Sequence, residues 1–277
     1  METLLPRKPM AYRPLLHRSL LLYQASFTQV ILLALLFSLT IFLPRIMLTL
    51  TQKIITGWPL LSLYQLWLVV INLVGLVFFV AILWRMHCVL RDYHEPLAED
   101  LWMGVKKVVM VFLAVLLQAF IIFVFSFVLV FTQILLFEYK PFLMEGFNGI
   151  IIAFIFLLVE FFLLLYIMSL LWFIVPLIAT ENKSIFKALE KSIQLAWNHW
   201  WRVFSIQLTP WLLYLAVLLV FRYVFFIDIH IYFLNGVMPS IWAVLIQLII
   251  FMLFIPWIAA LSLVQMRDLE LRNHATK

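Results

Sequence analysis

Glu160 is the residue with the strongest claim to chemistry. It is a lone acid with Phe154-Ile155-Phe156-Leu157-Leu158-Val159 before it and Phe161-Phe162-Leu163-Leu164-Leu165 after it. It falls roughly 11 residues into an apolar stretch over 149–179, which at ~1.5 Å per residue places it near mid-membrane. An ionisable group at that depth marks a substrate or proton pathway by default. The competing reading makes it hydrogen-bonding glue between helices, worth about 0.6–2 kcal/mol. Asn72, Gln118, Gln133, Gln207 and Gln247 also fall inside apolar stretches and are its candidate partners across a bundle.

A second constellation, His87, Cys88, His94 and Glu95 with Glu99 and Asp100 beyond, has metal-ligand residue types. It contains no HExxH, no CxxC and no repeated spacing, so a mixed-charge loop is expected, with no metal and no cofactor. Cys88 is the single cysteine, which excludes an internal disulfide. Arg222, Asp228 and His230 suggest an anchor or local ion pair at the end of a span. A nucleophile elbow and a P-loop are absent, and six glycines leave little material for a phosphate cradle. Gly75, Gly146 and Gly149 form no small-xxx-small face.

The third constellation is basic and aromatic. Phe186, Leu189, Ile193, Trp197 and Trp200 share one helical face. Lys183, Lys187, Lys191, Gln194, Asn198 and Arg202 share the opposite one, with Asn182 placed as N-cap. Such a helix, over 182–202, either lies flat among lipid headgroups or packs beneath the bundle. In the first case Lys183, Lys187, Lys191 and Arg202 face the headgroups of an anionic leaflet.

The elements that must position these residues are membrane spans. The 277-residue chain is 67% hydrophobic and only 12% charged, about half the charge of a soluble domain, which excludes a soluble enzyme. Its net charge of +6 comes from residues flanking apolar runs, which argues against nucleic acid as a partner. Apolar runs over 26–50, 61–84, 105–137, 149–179, 203–227 and 237–265 predict six transmembrane helices in one membrane domain, 1–277. All but four of the 19 Lys and Arg (Arg45, Lys53, Lys140 and Arg222) fall in the N-terminal segment, the second and fourth connections and the tail. The positive-inside rule therefore predicts cytoplasmic N- and C-termini.

The N-terminal segment 13–25 repeats the basic and aromatic pattern more weakly. Arg18-Ser19-Leu20, Leu22, Phe27 and Val30 align with Lys191-Ser192-Ile193, Leu195, Trp200 and Val203, and Glu99 to Lys107 occupies the same place before the third span. The expected fold is all-α: six spans as three hairpins, each preceded by an amphipathic cytoplasmic elbow. Convergent use of interfacial residues explains the matches equally well.

The run Pro176-Leu177-Ile178-Ala179-Thr180-Glu181-Asn182-Lys183-Ser184, then Ala188-Leu189-Glu190-Lys191-Ser192, then Trp200-Trp201-Arg202-Val203-Phe204, resembles a bacterial family. That family is the six-helix membrane domain of membrane-anchored glycerophosphodiester phosphodiesterases, with related inner-membrane proteins. The resemblance implies a multi-pass protein of the bacterial inner membrane. It brings no catalytic residue, because no phosphodiesterase domain accompanies these spans. The leading expectation is a non-enzymatic protein that engages membrane phospholipid and supports membrane or envelope organisation. A small transporter or channel subunit using Glu160 and the intramembrane amides is the alternative, and a scaffold for another inner-membrane protein is a third.

Overall fold

The computed structural model describes residues 4–51, 58–93, 95–139, 146–227, 229 and 240–275. Among these the chain is helical, without a strand: α1 (Tyr12–Thr51), α2 (Trp58–Leu90), α3 (Leu97–Tyr139), α4 (Gly146–Leu171), α5 (Ile174–Glu181), α6 (Ile185–Ala196), α7 (Trp200–Tyr223) and α8 (Ile241–Ala275). Six stretches are long and apolar enough to cross a membrane, so this is a multi-pass integral membrane protein.

Two of the three expected elbows are absorbed into spans. α1 runs unbroken for 40 residues and takes in the segment 13–25, while α3 runs for 43 and takes in Glu99 to Lys107. Neither segment carries a helix breaker at its junction, so the hydrogen-bond ladder continues. At ~1.5 Å per residue α3 is about 65 Å long, twice a hydrocarbon core, and must project into water or tilt. Among the described residues, only the fourth connection holds a separate helix, α6, joined to α7 by a 3-10 turn over Trp197–His199.

The fourth span is broken at Trp172 and Phe173, between α4 and α5. Pro176 explains the break. Its ring has no N–H for the Trp172 carbonyl and would collide with it in a continuous helix. In the first turn of α5, where no intrahelical donor is needed, the same proline is tolerated. Pro44, Pro210 and Pro256 instead lie inside continuous helices. Asn182 departs from the expected N-cap: at φ 54° and ψ 30° it closes α5 in the left-handed conformation, and Ser184 takes the N-cap place of α6. Asparagine is among the few residues that adopt that region readily.

The most extensive packing sets α1 against α8, then α1 against α2 and α2 against α3. The chain's first and last helices thus form the centre, and tight contacts are not confined to three sequential hairpins. The main core joins Leu22, Leu33, Leu83, Phe173, Ile206 and Leu261, all buried. α2 and α3 approach closely at Gly104, where a Cβ would stand 2.5 Å from the Val77 carbonyl oxygen. Backbone cannot yield there as a side chain can. Gly104→Ala is expected to push α3 off α2 at a cost of about 1–3 kcal/mol; an unchanged melting midpoint in detergent would contradict the close approach.

Candidate functional site

The polar chemistry gathers at the end of the bundle where the N-terminal segment meets the last turns of α8. Asp268, fully buried on α8, accepts the Met10 backbone N–H at 2.7 Å through Oδ1. Its Oδ2 meets Arg202 of α7 at 3.1 Å and Arg272 at 3.0 Å. Both guanidiniums also donate to the Met10 carbonyl, at 2.6 and 2.5 Å. One carboxylate and two arginines thus clamp both polar groups of a single backbone residue, and residues 4–11 become a strap held against α8. Gln265, one turn earlier, receives a hydrogen bond from Gln207 of α7 at 2.7 Å and donates to the Arg202 carbonyl at 3.2 Å.

A second network joins α5, α6 and α8. Lys191 lies 2.7 Å from Glu181 and 2.5 Å from Glu270; Glu181 also meets Lys183 at 3.1 Å, and Glu270 meets Arg267 at 3.1 Å. Of the four cations assigned to headgroups from sequence, Lys191, Arg202 and Lys183 therefore sit on carboxylates of this chain. Lys187 is exposed and has no ion pair among the described residues. The reason is geometric: α6 turns one edge inward, burying Ala188, Ser192, Leu195 and Ala196, and this carries Lys191 toward α8.

Between α6 and the last turns of α8 lies a groove of about 430 Å³. Lys183, Lys187 and Lys191 line it with Asn273 and His274, and Glu190 and Glu270 also reach it. Phe186, Trp197 and Trp201 stand 75%, 56% and 54% exposed along the same connection. Tyr166 of α4 holds the aromatic edge in place, meeting Trp200 edge-on at 5.5 Å and Trp197 at 6.1 Å between ring centres.

A third cluster joins α2 to α3. Arg85 approaches the fully buried Asp100 at 3.3 Å and donates to the Glu95 carbonyl at 2.5 Å. Trp84 donates to the Glu95 carboxylate at 2.8 Å, and the Cys88 thiol lies 3.8 Å from that carboxylate. Lys107, nearly buried, rests 4.6 Å over the Trp84 ring and donates to the Ala179 carbonyl near the end of α5. That carbonyl belongs to the negative end of the helix dipole, a favourable place for a cation. Of the His87, Cys88, Glu95, Glu99 and Asp100 constellation, Cys88 and Glu95 meet each other and Asp100 meets Arg85, and no group of three or more His, Cys, Asp or Glu that could hold a metal occurs among the described residues. His94, Asp228 and His230 lie outside them.

The intramembrane polar residues do not converge. Glu160 is half-buried on α4 and makes no hydrogen bond or ion pair among the described residues, and the flanking Val159, Phe161 and Phe162 are exposed. Asn72 turns back to the Leu68 carbonyl of its own helix at 2.8 Å. Gln118 donates to the Leu171 carbonyl at 2.6 Å, Gln207 pairs with Gln265, and Gln247 accepts from Arg45 at 2.7 Å. Gln133 is half-buried on α3.

Gln118 serves the broken span. It satisfies one carbonyl at the end of α4, while the buried Ser192 hydroxyl donates to the Leu170 carbonyl at 2.6 Å and accepts the Phe173 N–H at 3.2 Å. Irregular backbone inside a membrane persists only where protein satisfies it in this way. A small apolar cavity of about 240 Å³ adjoins the break, with Gln118, Trp172 and Ser262 on its wall. Sequence reasoning passed over Asp268, Gln265, Ser192 and Arg45 as partners. The one local signal was the 265, 268, 272 spacing, which places a glutamine, an aspartate and an arginine along one side of α8. No family model, curated protein or solved structure matches the chain.

Proposed function

We propose that this chain is a non-enzymatic protein of the bacterial inner membrane that engages anionic phospholipid at its cytoplasmic face and supports membrane or envelope organisation. The groove between α6 and α8 carries the reading. Lys187, without an ion pair among the described residues, lines it beside Lys183 and His274, and the same connection exposes the aromatics Phe186, Trp197 and Trp201. Exposed tryptophans belong at the level of lipid headgroups, and a lysine there gains about 1 kcal/mol from an anionic leaflet. Lys191 and Arg202, held by carboxylates, keep α6 and α7 against α8 and thereby position the groove. Headgroup contact falls chiefly to Lys187. The concentration of Lys and Arg around this end of the bundle supports a cytoplasmic placement.

Native mass spectrometry of protein released from vesicles of phosphatidylcholine and phosphatidylglycerol tests this. Wild-type protein should retain phosphatidylglycerol selectively, and Lys183→Ala with Lys187→Ala should reduce the retained lipid several-fold. Equal retention of the two lipids would overturn the proposal, as would release from the native membrane as a particle carrying only another protein, the latter in favour of a scaffold.

A further inference from the structure

A larger cavity, about 590 Å³, opens beneath the bundle between the N-terminal strap, the end of α2, α5 and α8. It shares Glu270 with the α6–α8 groove but is otherwise built from different residues. Leu90, Leu263 and Met266 give it an apolar wall, and Arg7 and Arg91 line it from the strap and from the turn after α2. Its two carboxylates are already committed: Glu181 to Lys183 and Lys191, and Glu270 to Lys191 and Arg267. Neither Arg7 nor Arg91 has a carboxylate within ion-pair distance among the described residues, and both are exposed. The cavity therefore has an excess of positive charge contributed by two uncommitted guanidiniums on separate elements.

We infer that this cavity binds the phosphoryl group of an amphiphilic phosphate, with Arg7 and Arg91 on the phosphoryl oxygens and the apolar wall against the rest of the molecule. The charge state of the lining disfavours a cation, since every acid in it is neutralised within the chain. Two guanidiniums approaching from different elements suit the several outward oxygens of a tetrahedral phosphoryl group, whereas a planar carboxylate offers a single bidentate edge. The volume lies in the range of small-molecule sites and far exceeds what inorganic phosphate needs, which is why the ligand carries an apolar part. The strap is part of the site: Arg7 lies three residues before Met10, whose backbone Asp268, Arg202 and Arg272 clamp. This site is independent of the α6–α8 groove, and its test uses different residues.

Calorimetric titration of the full chain in mild detergent with dihexanoyl phosphatidic acid, below its micelle concentration, tests the assignment. One-to-one binding is expected, weakened by about tenfold or more when Arg7→Ala and Arg91→Ala are combined, and unchanged in Lys187→Ala. The two exposed arginines leave the core untouched, so the double variant should melt with the wild type. Inorganic phosphate as a second titrant tests the apolar wall: weaker binding of phosphate is expected, and binding equal to that of the lipid would overturn the amphiphilic assignment. Absence of saturable binding, equal binding of dihexanoyl phosphatidylcholine, full affinity in the double arginine variant, or the same loss in Lys187→Ala would each overturn it.

Discussion

Asp268→Ala should be among the most damaging single substitutions in this protein. It leaves Arg202 and Arg272 facing each other across a vacated, buried position and strips the Met10 N–H of its acceptor. Removing one partner of a buried charge pair costs about 3–5 kcal/mol, most of it from the charge left behind. The effect should be visible as a lowered free energy of unfolding in detergent titration. It should also be visible locally, because the strap loses its anchor: trypsin should cut after Arg7 in the variant under conditions that leave the wild type intact; Lys8 precedes Pro9 and is not a site. Asp268→Asn retains an acceptor for Met10 but not the charge, and should fall between the two. A trypsin-resistant Asp268→Ala strap would mean that packing of Leu4 and Met10 against the core, not the clamp, holds the segment.

The second large effect concerns Arg85 and Asp100. Asp100 is fully buried, and apart from the 3.3 Å approach of Arg85 its carboxylate oxygens have no hydrogen-bond partner among the described residues. The pair is therefore a poor one energetically: desolvation of both charges is offset by one contact without hydrogen-bond alignment. Arg85→Leu alone, which strands the carboxylate, is expected to cost about 3–5 kcal/mol. The double variant, Arg85→Leu with Asp100→Leu, should regain most of that loss or exceed wild-type stability, because neither charge remains to be buried. A double variant as unstable as the single one would show that the Arg85 bond to the Glu95 carbonyl, not the ion pair, holds the α2–α3 connection.

These two clusters and the Lys191 network share a design. Each takes a cation that sequence reasoning counted as a topological signal and uses it to fix one helix end against another. Arg202, Lys191, Arg85 and Lys107 all do so. Lys187 on α6 and Arg7 and Arg91 around the lower cavity have no carboxylate partner among the described residues and so remain available to a ligand. Distinguishing structural from available cations needed partner distances, since Lys187 and Lys191 are four residues apart on the same helix and look alike in sequence.

Membrane spanning was legible from the sequence because it depends on local quantities. Run length and apolarity set the six stretches, whereas α6 buries Ala188, Ser192, Leu195 and Ala196 and leaves Phe186 and Trp197 of its expected apolar face exposed. Even the break near Pro176 had a local cause, though continuity at Pro44, Pro210 and Pro256 shows that proline alone does not decide. The partners of the polar residues were decided only by tertiary structure. A span that is apolar around its whole circumference carries no periodic mark of which side faces which neighbour, and lipid is as apolar as a packed leucine. Helix rotation and register, settled by packing such as Gly104 against Val77, then determine that Gln207 meets Gln265, that Gln118 reaches the broken span, and that Glu160 meets none of the amides. The clamp on Met10 lies further still from sequence reasoning, since it joins residues 10, 202, 268 and 272. Only the packing of the first helix on the last brings those positions together.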